Sequence, residues 1–338
     1  MELWKRLLRT AVHISSPHNV QPWRVRLISN HEADLFIDRR RTLPKEDVTG
    51  SFIILTMGMF IEALGLLAAN ENFRLEYELY HDPAWYAPAI LEPSEEPFLP
   101  FARLRLVPSD ETMEGPRYEE DIFMKRRTSR IPLLPKPVPE DSARSLRELA
   151  QKWNHRYEQI TDPLMIERIL EKNADALFED LNSAEYHDEI VSWFRFTDRA
   201  ARRTRDGLDY RCMNSSRISF WLAARLPKLL QFPLTRPLLA RTYRSQLGTV
   251  PTIGIIAGSF WQPESAINAG RFLMQFWLET TRQGLYIHPY GNLVTNRRAA
   301  LWCLEETGIE DIWLIFKIGF SPAPPASYRL PLEEIILA

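Results

Sequence analysis

An α+β fold follows from three features of the sequence. Strand-like alternation and helix-like periodicity are mixed along the chain. They do not follow the βαβα rhythm of a doubly wound sheet. Neither G-x-G-x-x-G nor G-x-x-x-x-G-K-[ST] occurs, so no dedicated dinucleotide or P-loop domain is expected.

The elements follow in order. Met1 to His13 is an amphipathic helix with Leu3, Trp4, Leu7, Leu8 and Ala11 on one face. It has no long apolar run and no small-residue cleavage site, so it does not read as a signal peptide. It stops at the turn-forming run Ser15–Asn19. Trp23–Ile28 and Ala33–Ile37 alternate like a hairpin that turns near Asn30. Asp47 is placed to cap the next helix. That helix, Phe52–Ala69, is apolar apart from Thr56 and Glu62. Its length is at the lower edge for spanning a bilayer, and Glu62 would be costly in lipid. Gly58, Ala63 and Gly65 suit close packing, so it reads as a central helix in the core or in an intrachain pseudo-dimer interface.

Phe73–Tyr80 and Phe101–Val107 read as strands joined by a surface excursion, and a boundary falls near Ser109–Gly115. A short helix (Glu119–Lys125), a Pro-rich connector (Pro132–Pro139), a helix (Glu140–Trp153) and a strand (Arg156–Ile160) come next. Leu164–Phe196 reads as helix in two pieces. Residues 197–247, basic and irregular, are expected to form an insertion or lid. Val250–Gly258 reads as a buried strand. Ser265–Gln283 and Asn296–Thr307 read as helices stopped by Gly284 and Gly308, and Ile312–Ile318 as a strand, before the tail run Leu330–Ile336.

Composition narrows the function classes. The 338 residues are 45% hydrophobic and 25% charged, which is globular rather than disordered. A net charge of -2 favours neither nucleic acid nor a membrane surface as a partner. Cys212 and Cys303 alone make neither a disulfide framework nor a four-ligand zinc site; both read as core residues in helical stretches, as suits a reducing cytoplasm. The seven histidines show no H-x-x-x-H spacing, so no metal site is expected.

Four constellations carry possible chemistry. Ser16-Pro17-His18-Asn19-Val20-Gln21-Pro22-Trp23 sets hydroxyl and amide groups on a turn, suited to the edge of a planar heterocycle or simply to capping a helix. Arg126-Arg127-Thr128-Ser129-Arg130 is a compact donor cluster suited to a phosphate monoester; read alone, such a run is more commonly a solvated basic turn. Gly284 to Asn292, with His288-Pro289-Tyr290-Gly291, makes a rigid loop that a ligand can approach closely, or a plain connection. Arg329 in Ser327-Tyr328-Arg329-Leu330-Pro331 is one more cation near the tail. His18 and His288 read either as ligand contacts or as hydrogen-bonded loop residues.

Together the four resemble the FMN-dependent nitroreductase superfamily. Arg126, Thr128 and Arg130, with Arg127 between them, are similar to its arginine-rich phosphate motif. Ser16, Asn19, Gln21 and Trp23 are similar to its S-x-x-N-x-Q-P-W flavin motif. Pro289, Tyr290 and Gly291 fall where its loop near flavin N5 belongs, and Arg329 where its C-terminal phosphate contact belongs. The order departs from the ordinary pattern, because the arginine motif here follows the flavin motif by roughly a hundred residues. Ordinary members are homodimers with flavin contacted by both subunits. The resemblance is to the single-chain subgroup, with one nitroreductase-like half over 1–112 and another over 113–338, one complete site per chain, and the chain working as monomer or homodimer.

The resemblance implies FMN as cofactor, NAD(P)H as electron donor, a nitroaromatic or quinone as acceptor, and ping-pong use of one flavin face. The flavin carries the chemistry, so no catalytic side chain is expected. Some of the subgroup hold FMN under a lid with little turnover, which leaves FMN storage or sequestration as the alternative. A scaffold that has lost flavin is the third reading.

Overall fold

A computed structural model of the chain describes residues 1–109, 117–225 and 236–338. The chain forms two compact units. Unit 1 comprises Met1–Arg126, Phe260–Leu278 and Tyr328–Ala338; unit 2 comprises Arg127–Ser259 and Glu279–Ser327. Most of the boundary expected at Ser109–Gly115 lies outside the described residues. The units cut the chain differently from a 1–112 and 113–338 division. Unit 1 also takes part of the Pro263–Arg282 helix and the C-terminal tail.

In unit 1 the helix Glu2–Ala11 leads into a five-stranded sheet. Its order is Ile336–Leu337, Trp23–Leu27, Glu32–Asp38, Phe98–Pro108, Phe73–Leu79. The tail strand pairs parallel with Trp23–Leu27, and every other pair is antiparallel. Phe73–Leu79 alternates half-buried apolar with exposed charged positions, as an edge strand with one wet face does. Where an excursion was expected, Pro83–Leu91 forms a helix. Asp82 caps it, and Tyr86, fully buried, donates to the carbonyl of Phe101 at 2.6 Å.

The apolar run becomes the helix Ser51–Asn70, buried over almost its whole length. By length and composition it is the one helix among the described residues that meets the requirement for crossing a membrane, yet 89% of its apolar window is buried inside the protein. Glu62 is held there by Arg271 Nε at 2.9 Å and Gln275 Nε2 at 2.6 Å. Its N-terminus is capped from a distance: Asp47 Oδ2 accepts the Ile53 N–H at 2.9 Å while Gly50 occupies the N-cap. Burial, with the nearby Glu46 carboxylate adding to it, pushes the Asp47 carboxyl up to about 6.

The Pro263–Leu278 stretch of the helix Pro263–Arg282 crosses this central helix through glycines on both sides. A Cβ on Gly58 would lie 2.2 Å from the Ile267 carbonyl oxygen, and one on Gly270 would lie 2.0 Å from that of Leu55. The two backbones touch, and the contact is reciprocal.

Unit 2 carries a four-stranded antiparallel sheet in the order Arg156–Ile160, Ile253–Ala257, Ile312–Gly319, Tyr286–Pro289. The Tyr157 and Phe316 rings stack on one face, with centroids 6.2 Å apart. A Cβ on Gly254 would meet the Phe316 ring at 2.5 Å, so the strand needs glycine there. The helix Glu140–Lys152 precedes the sheet, and Arg297–Thr307 ends at Gly308 with φ 65°.

The chain repeats one topology. A helix, two strands, a long helix and two strands run through Glu2–Ala11, Trp23–Leu27, Glu32–Asp38, Ser51–Asn70, Phe73–Leu79 and Phe98–Pro108. The same order returns in Glu140–Lys152, Arg156–Ile160, Ile253–Ala257, Pro263–Arg282, Tyr286–Pro289 and Ile312–Gly319. In both sheets the fourth of these strands lies between the second and the third, and all three pairings are antiparallel.

The passes differ between their first two strands. A tight turn joins Leu27 to Glu32, whereas residues 161–252 intervene between Ile160 and Ile253. The insertion therefore begins well before residue 197, with the helices Pro163–Asn182 and Ala184–Ser192. The rest of it holds the helices Asp198–Thr204, Arg217–Arg225 and Arg236–Leu247. Residues 226–235 lie outside the described set.

Candidate functional site

The Ser16–Trp23 turn lies in unit 1. His18, Asn19 and Gln21 all take left-handed backbone, with φ of 46°, 57° and 54°. Such residues cost free energy unless their surroundings hold them. Here the surroundings are the turn itself and the C-terminal tail. Ser16 Oγ accepts the Gln21 N–H at 3.0 Å, and Gln21 Oε1 accepts the Leu330 N–H at 2.9 Å. Asn19 Nδ2 donates to the Tyr328 carbonyl at 3.1 Å, and its Oδ1 accepts from Arg329 at 3.0 Å. Asn19 and Gln21 thus clasp the tail. His18 Nε2 sits 2.5 Å from Glu46 Oε2, a loop pairing.

Arg329 does not present an open guanidinium. Its Nε donates to the Val12 carbonyl, Nη1 to Asn19 Oδ1 and the Tyr328 carbonyl, and Nη2 to the carbonyls of His13 and Ile14. These five bonds match the five donors of the side chain. In this arrangement Arg329 pins the chain just beyond the first helix, a role that differs from the phosphate contact expected for it. Arg126 Nη2 donates to the same His13 carbonyl at 2.9 Å, and its guanidinium lies 4.7 Å from the Trp277 ring centroid. Burial and then these two cations push the His13 imidazole down to about 4.

The rest of the arginine run belongs to unit 2, the division falling between Arg126 and Arg127. Thr128 forms a parallel bridge with Ile287, and the Ser129 N–H donates to the Ile287 carbonyl at 3.0 Å. Ser129 Oγ lies 3.1 Å from Ser321 Oγ, and Arg127 donates to the Pro324 carbonyl at 2.7 Å. The arginine run is therefore fastened along the strand Tyr286–Pro289, which leads directly into Tyr290 and Gly291. Two motifs more than 150 residues apart in sequence meet here.

This meeting creates a basic interior. Among the described residues, Arg130 makes one long hydrogen bond, to the Cys212 carbonyl at 3.4 Å, and has no carboxylate within ion-pair distance. Burial lowers its pKa. The nearby acid that acts on it, Asp209, is taken up by Arg211 at 3.0 Å. Lys317, with 0% exposure, donates to the carbonyls of Ile131 at 2.8 Å and Leu247 at 3.4 Å. Burial, then Arg130, pushes it down to about 8.

His288 lies across the strand pair from Lys317. Burial, then Arg130 and Lys317, hold its imidazole neutral, well below its usual range. Its Nδ1 and the Tyr290 hydroxyl are buried without a hydrogen-bond partner among the described residues. The two rings meet edge to face at 5.2 Å. Burial and Tyr243 raise the Tyr290 hydroxyl well above the phenol range, so it remains a donor. Gly291 has φ -54°, and no atom comes within 4 Å of where its Cβ would be.

Lys317 and Asn173 escape a reading by motif. The available signal for Lys317 was a lone lysine inside the apolar run Ile312–Gly319. Asn173, which donates to the Tyr243 hydroxyl at 3.0 Å, sits in a helix with no distinguishing pattern. Both cysteines are buried, but Cys212 lies in a turn after Leu208–Asp209 rather than in a helix.

No protein-family model matches the chain. Two uncharacterized proteins of Mycobacterium tuberculosis, one from each of two strains, are 26% identical to it over 131 residues. The match takes 38% of this chain and spans about a third, 35%, of the length of those relatives. The chain is similar to FMN-dependent nitroreductases. That of Mycobacterium smegmatis, solved in complex with NADPH, is 17% identical over 65% of this chain and 96% of its own, with a TM-score of 0.39. A nitroreductase of Bacteroides fragilis with bound FMN is 13% identical over 64% of this chain and 97% of its own, at 0.37. A protein of Anabaena variabilis, provisionally assigned as a nitroreductase, is 10% identical over 86% of this chain and 69% of its own, at 0.41.

Proposed function

We propose that the chain is a two-half, nitroreductase-like flavoprotein that binds FMN and passes electrons from NAD(P)H to a nitroaromatic or quinone acceptor. The observation that carries this reading is the basic interior of unit 2. Arg130 and Lys317 are cationic, and among the described residues no carboxylate pairs with either and two buried polar atoms beside them lack partners. Buried cations without counter-charge are costly, and an entering anion relieves that cost. The residues fit the phosphate end of FMN, and the open space at Gly291 fits close approach of a ligand to the backbone.

FMN, when bound, supplies the hydride-accepting ring. Arg127, Thr128 and Arg130 supply the positive, hydroxyl-bearing strand edge for its phosphate. Pro289, Tyr290 and Gly291 form the loop that orients it. Asn19, Gln21, Arg126 and Arg329 hold the flavin-motif turn and the tail in place, Ser16 closes the turn, and His18 anchors it to Glu46. The repeated topology supports the reading of one chain as two fused halves.

The test is a desalted, FMN-saturated sample of the full chain, followed anaerobically by NADPH. Retained flavin that bleaches and is reoxidised by a quinone supports the reductase, and a colourless protein rules out the flavin reading. One observation favours a second reading, flavin held with little turnover. The insertion helix Arg236–Leu247 ends on the basic interior, where Lys317 donates to the Leu247 carbonyl. Flavin that stays yellow under NADPH supports that reading.

A further inference from the structure

We propose that the insertion of unit 2 docks on an anionic lipid bilayer, through the exposed Ile218 and Trp221 of the helix Arg217–Arg225 and the arginines around them. The proposal goes beyond the FMN reading and does not depend on it.

Charge separation is the first support. The net charge of -2, which favours no membrane surface when taken over the whole chain, hides an uneven distribution. Residues 197–247 hold eleven Lys and Arg against three Asp, net +8, which leaves -10 on the rest of the chain. Between Asp209 and Glu264 there are seven Lys and Arg and no acid. The three aspartates are already engaged. Arg217 pairs with Asp198 at 3.1 Å, Arg195 with Asp206 at 2.7 Å and Arg211 with Asp209 at 3.0 Å. The helix Asp198–Thr204 buries Ala201 and exposes Arg199, Arg202 and Arg203. Cations clustered in this way attract an anionic surface, each contributing about fivefold in affinity close to a bilayer.

The apolar side chains are the second support. Phe220 is buried, and its ring packs on Phe194 and Phe196 with centroids 4.5 Å and 5.4 Å away. Ala224, one turn on, is buried too, and its carbonyl lies 2.9 Å from His187 Nε2. That is the inner face of the helix. Ile218 and Trp221, three positions apart, are turned away from it and are 72% and 46% exposed. Arg217 adjoins them and reaches across to Asp198 on the arginine-bearing helix. An isoleucine and a tryptophan standing in water among arginines fit a helix that lies in a headgroup layer. The apolar side chains enter the acyl boundary, the indole rests at the interface and the guanidiniums meet lipid phosphates. Nucleic acid would satisfy the arginines but offers no apolar phase for Ile218.

The experiment floats the full chain with vesicles of phosphatidylcholine alone, and with vesicles of equal parts phosphatidylcholine and phosphatidylglycerol, at low and high salt. Wild type should bind the anionic vesicles at least about tenfold more tightly than the neutral ones, and lose most of that binding in high salt. Ile218→Ser with Trp221→Ser should weaken binding to the anionic vesicles at least about tenfold. Arg202→Gln with Arg203→Gln, on the other helix, should weaken it by a similar factor, about tenfold or more, and reduce the preference for anionic lipid. All four side chains are exposed, so melting should stay close to wild type. If one pair fails to fold, the other carries the test together with the lipid and salt dependence of wild type.

Equal binding to both kinds of vesicle, or binding to neither, overturns the proposal. So does wild-type affinity for anionic vesicles in the Ile218→Ser, Trp221→Ser variant. Duplex DNA bound more tightly than anionic vesicles at the same salt would assign the surface to nucleic acid instead. Self-association without vesicle binding, lost in that variant and in high salt, would assign it to a second copy of the chain. Either result overturns the proposal.

Discussion

Replacing Gly58 by alanine tests the helix crossing on which unit 1 is built. The added Cβ would lie 2.2 Å from the Ile267 carbonyl oxygen, 3.0 Å from its carbon and 3.1 Å from its Cα. Ordinary contact begins near 3.4 Å, so the helices must part by about 1.2 Å. All three obstructing atoms are backbone, and no rotamer change relieves them. In an exposed helix the same change would stabilise by about 1 kcal/mol. Overpacking costs about 1–3 kcal/mol, and a backbone obstacle belongs at the upper end. We expect a net loss of about 2 kcal/mol, read as a lower urea midpoint at unchanged slope.

Gly65 in the same helix is the internal control. Its Cβ would meet only the Leu75 side chain, at 3.8 Å and 4.0 Å. Gly65→Ala should therefore stabilise, by about 0.5–1 kcal/mol. If Gly58→Ala is as stable as wild type, or if the two substitutions behave alike, the close crossing is wrong.

Three further outcomes follow from the charges. Asp47, raised to about 6 by burial, contributes stability at low pH that is lost as pH rises from about 4 through 6. Asp47→Asn keeps an acceptor for the Ile53 N–H, so it should flatten that limb and be more stable at pH 7 by about 1–3 kcal/mol in urea titrations. Lys317, lowered to about 8 from its ordinary 10.5, makes the folded state shed its proton first, so wild-type stability should rise between pH 8 and 10.5. Lys317→Met should remove that rise, worth about 3 kcal/mol, in parallel pH-dependent melts. Arg329→Lys cannot reproduce five bonds with three donors and should cost about 2 kcal/mol, with earlier proteolysis of the tail.

Local pattern made much of this architecture legible. Phe73–Leu79 alternates because one face of an edge strand is wet, and Gly284 and Gly308 stop their helices with φ of 74° and 65°. Other features depend on distant partners. Asn19 and Gln21 look like ligand-facing amides in a motif, but each also bonds a residue 309 positions away. Lys317 hides in an apolar strand, since nothing within the run shows that Arg130 and His288 will surround it. The helix Pro83–Leu91 carries Pro88 and few polar residues, so its periodicity does not announce it. The early start of the insertion becomes visible only when the two passes of the topology are laid side by side.

The central claim is that this chain holds one FMN, and flavin stoichiometry tests it most directly. Purified protein is saturated with FMN, desalted, and its flavin absorbance is compared with protein concentration. The account predicts an oxidised-flavin spectrum at about one FMN per chain, because the arginine run and the flavin-motif turn each occur once. Two flavins per chain, or none, would contradict it.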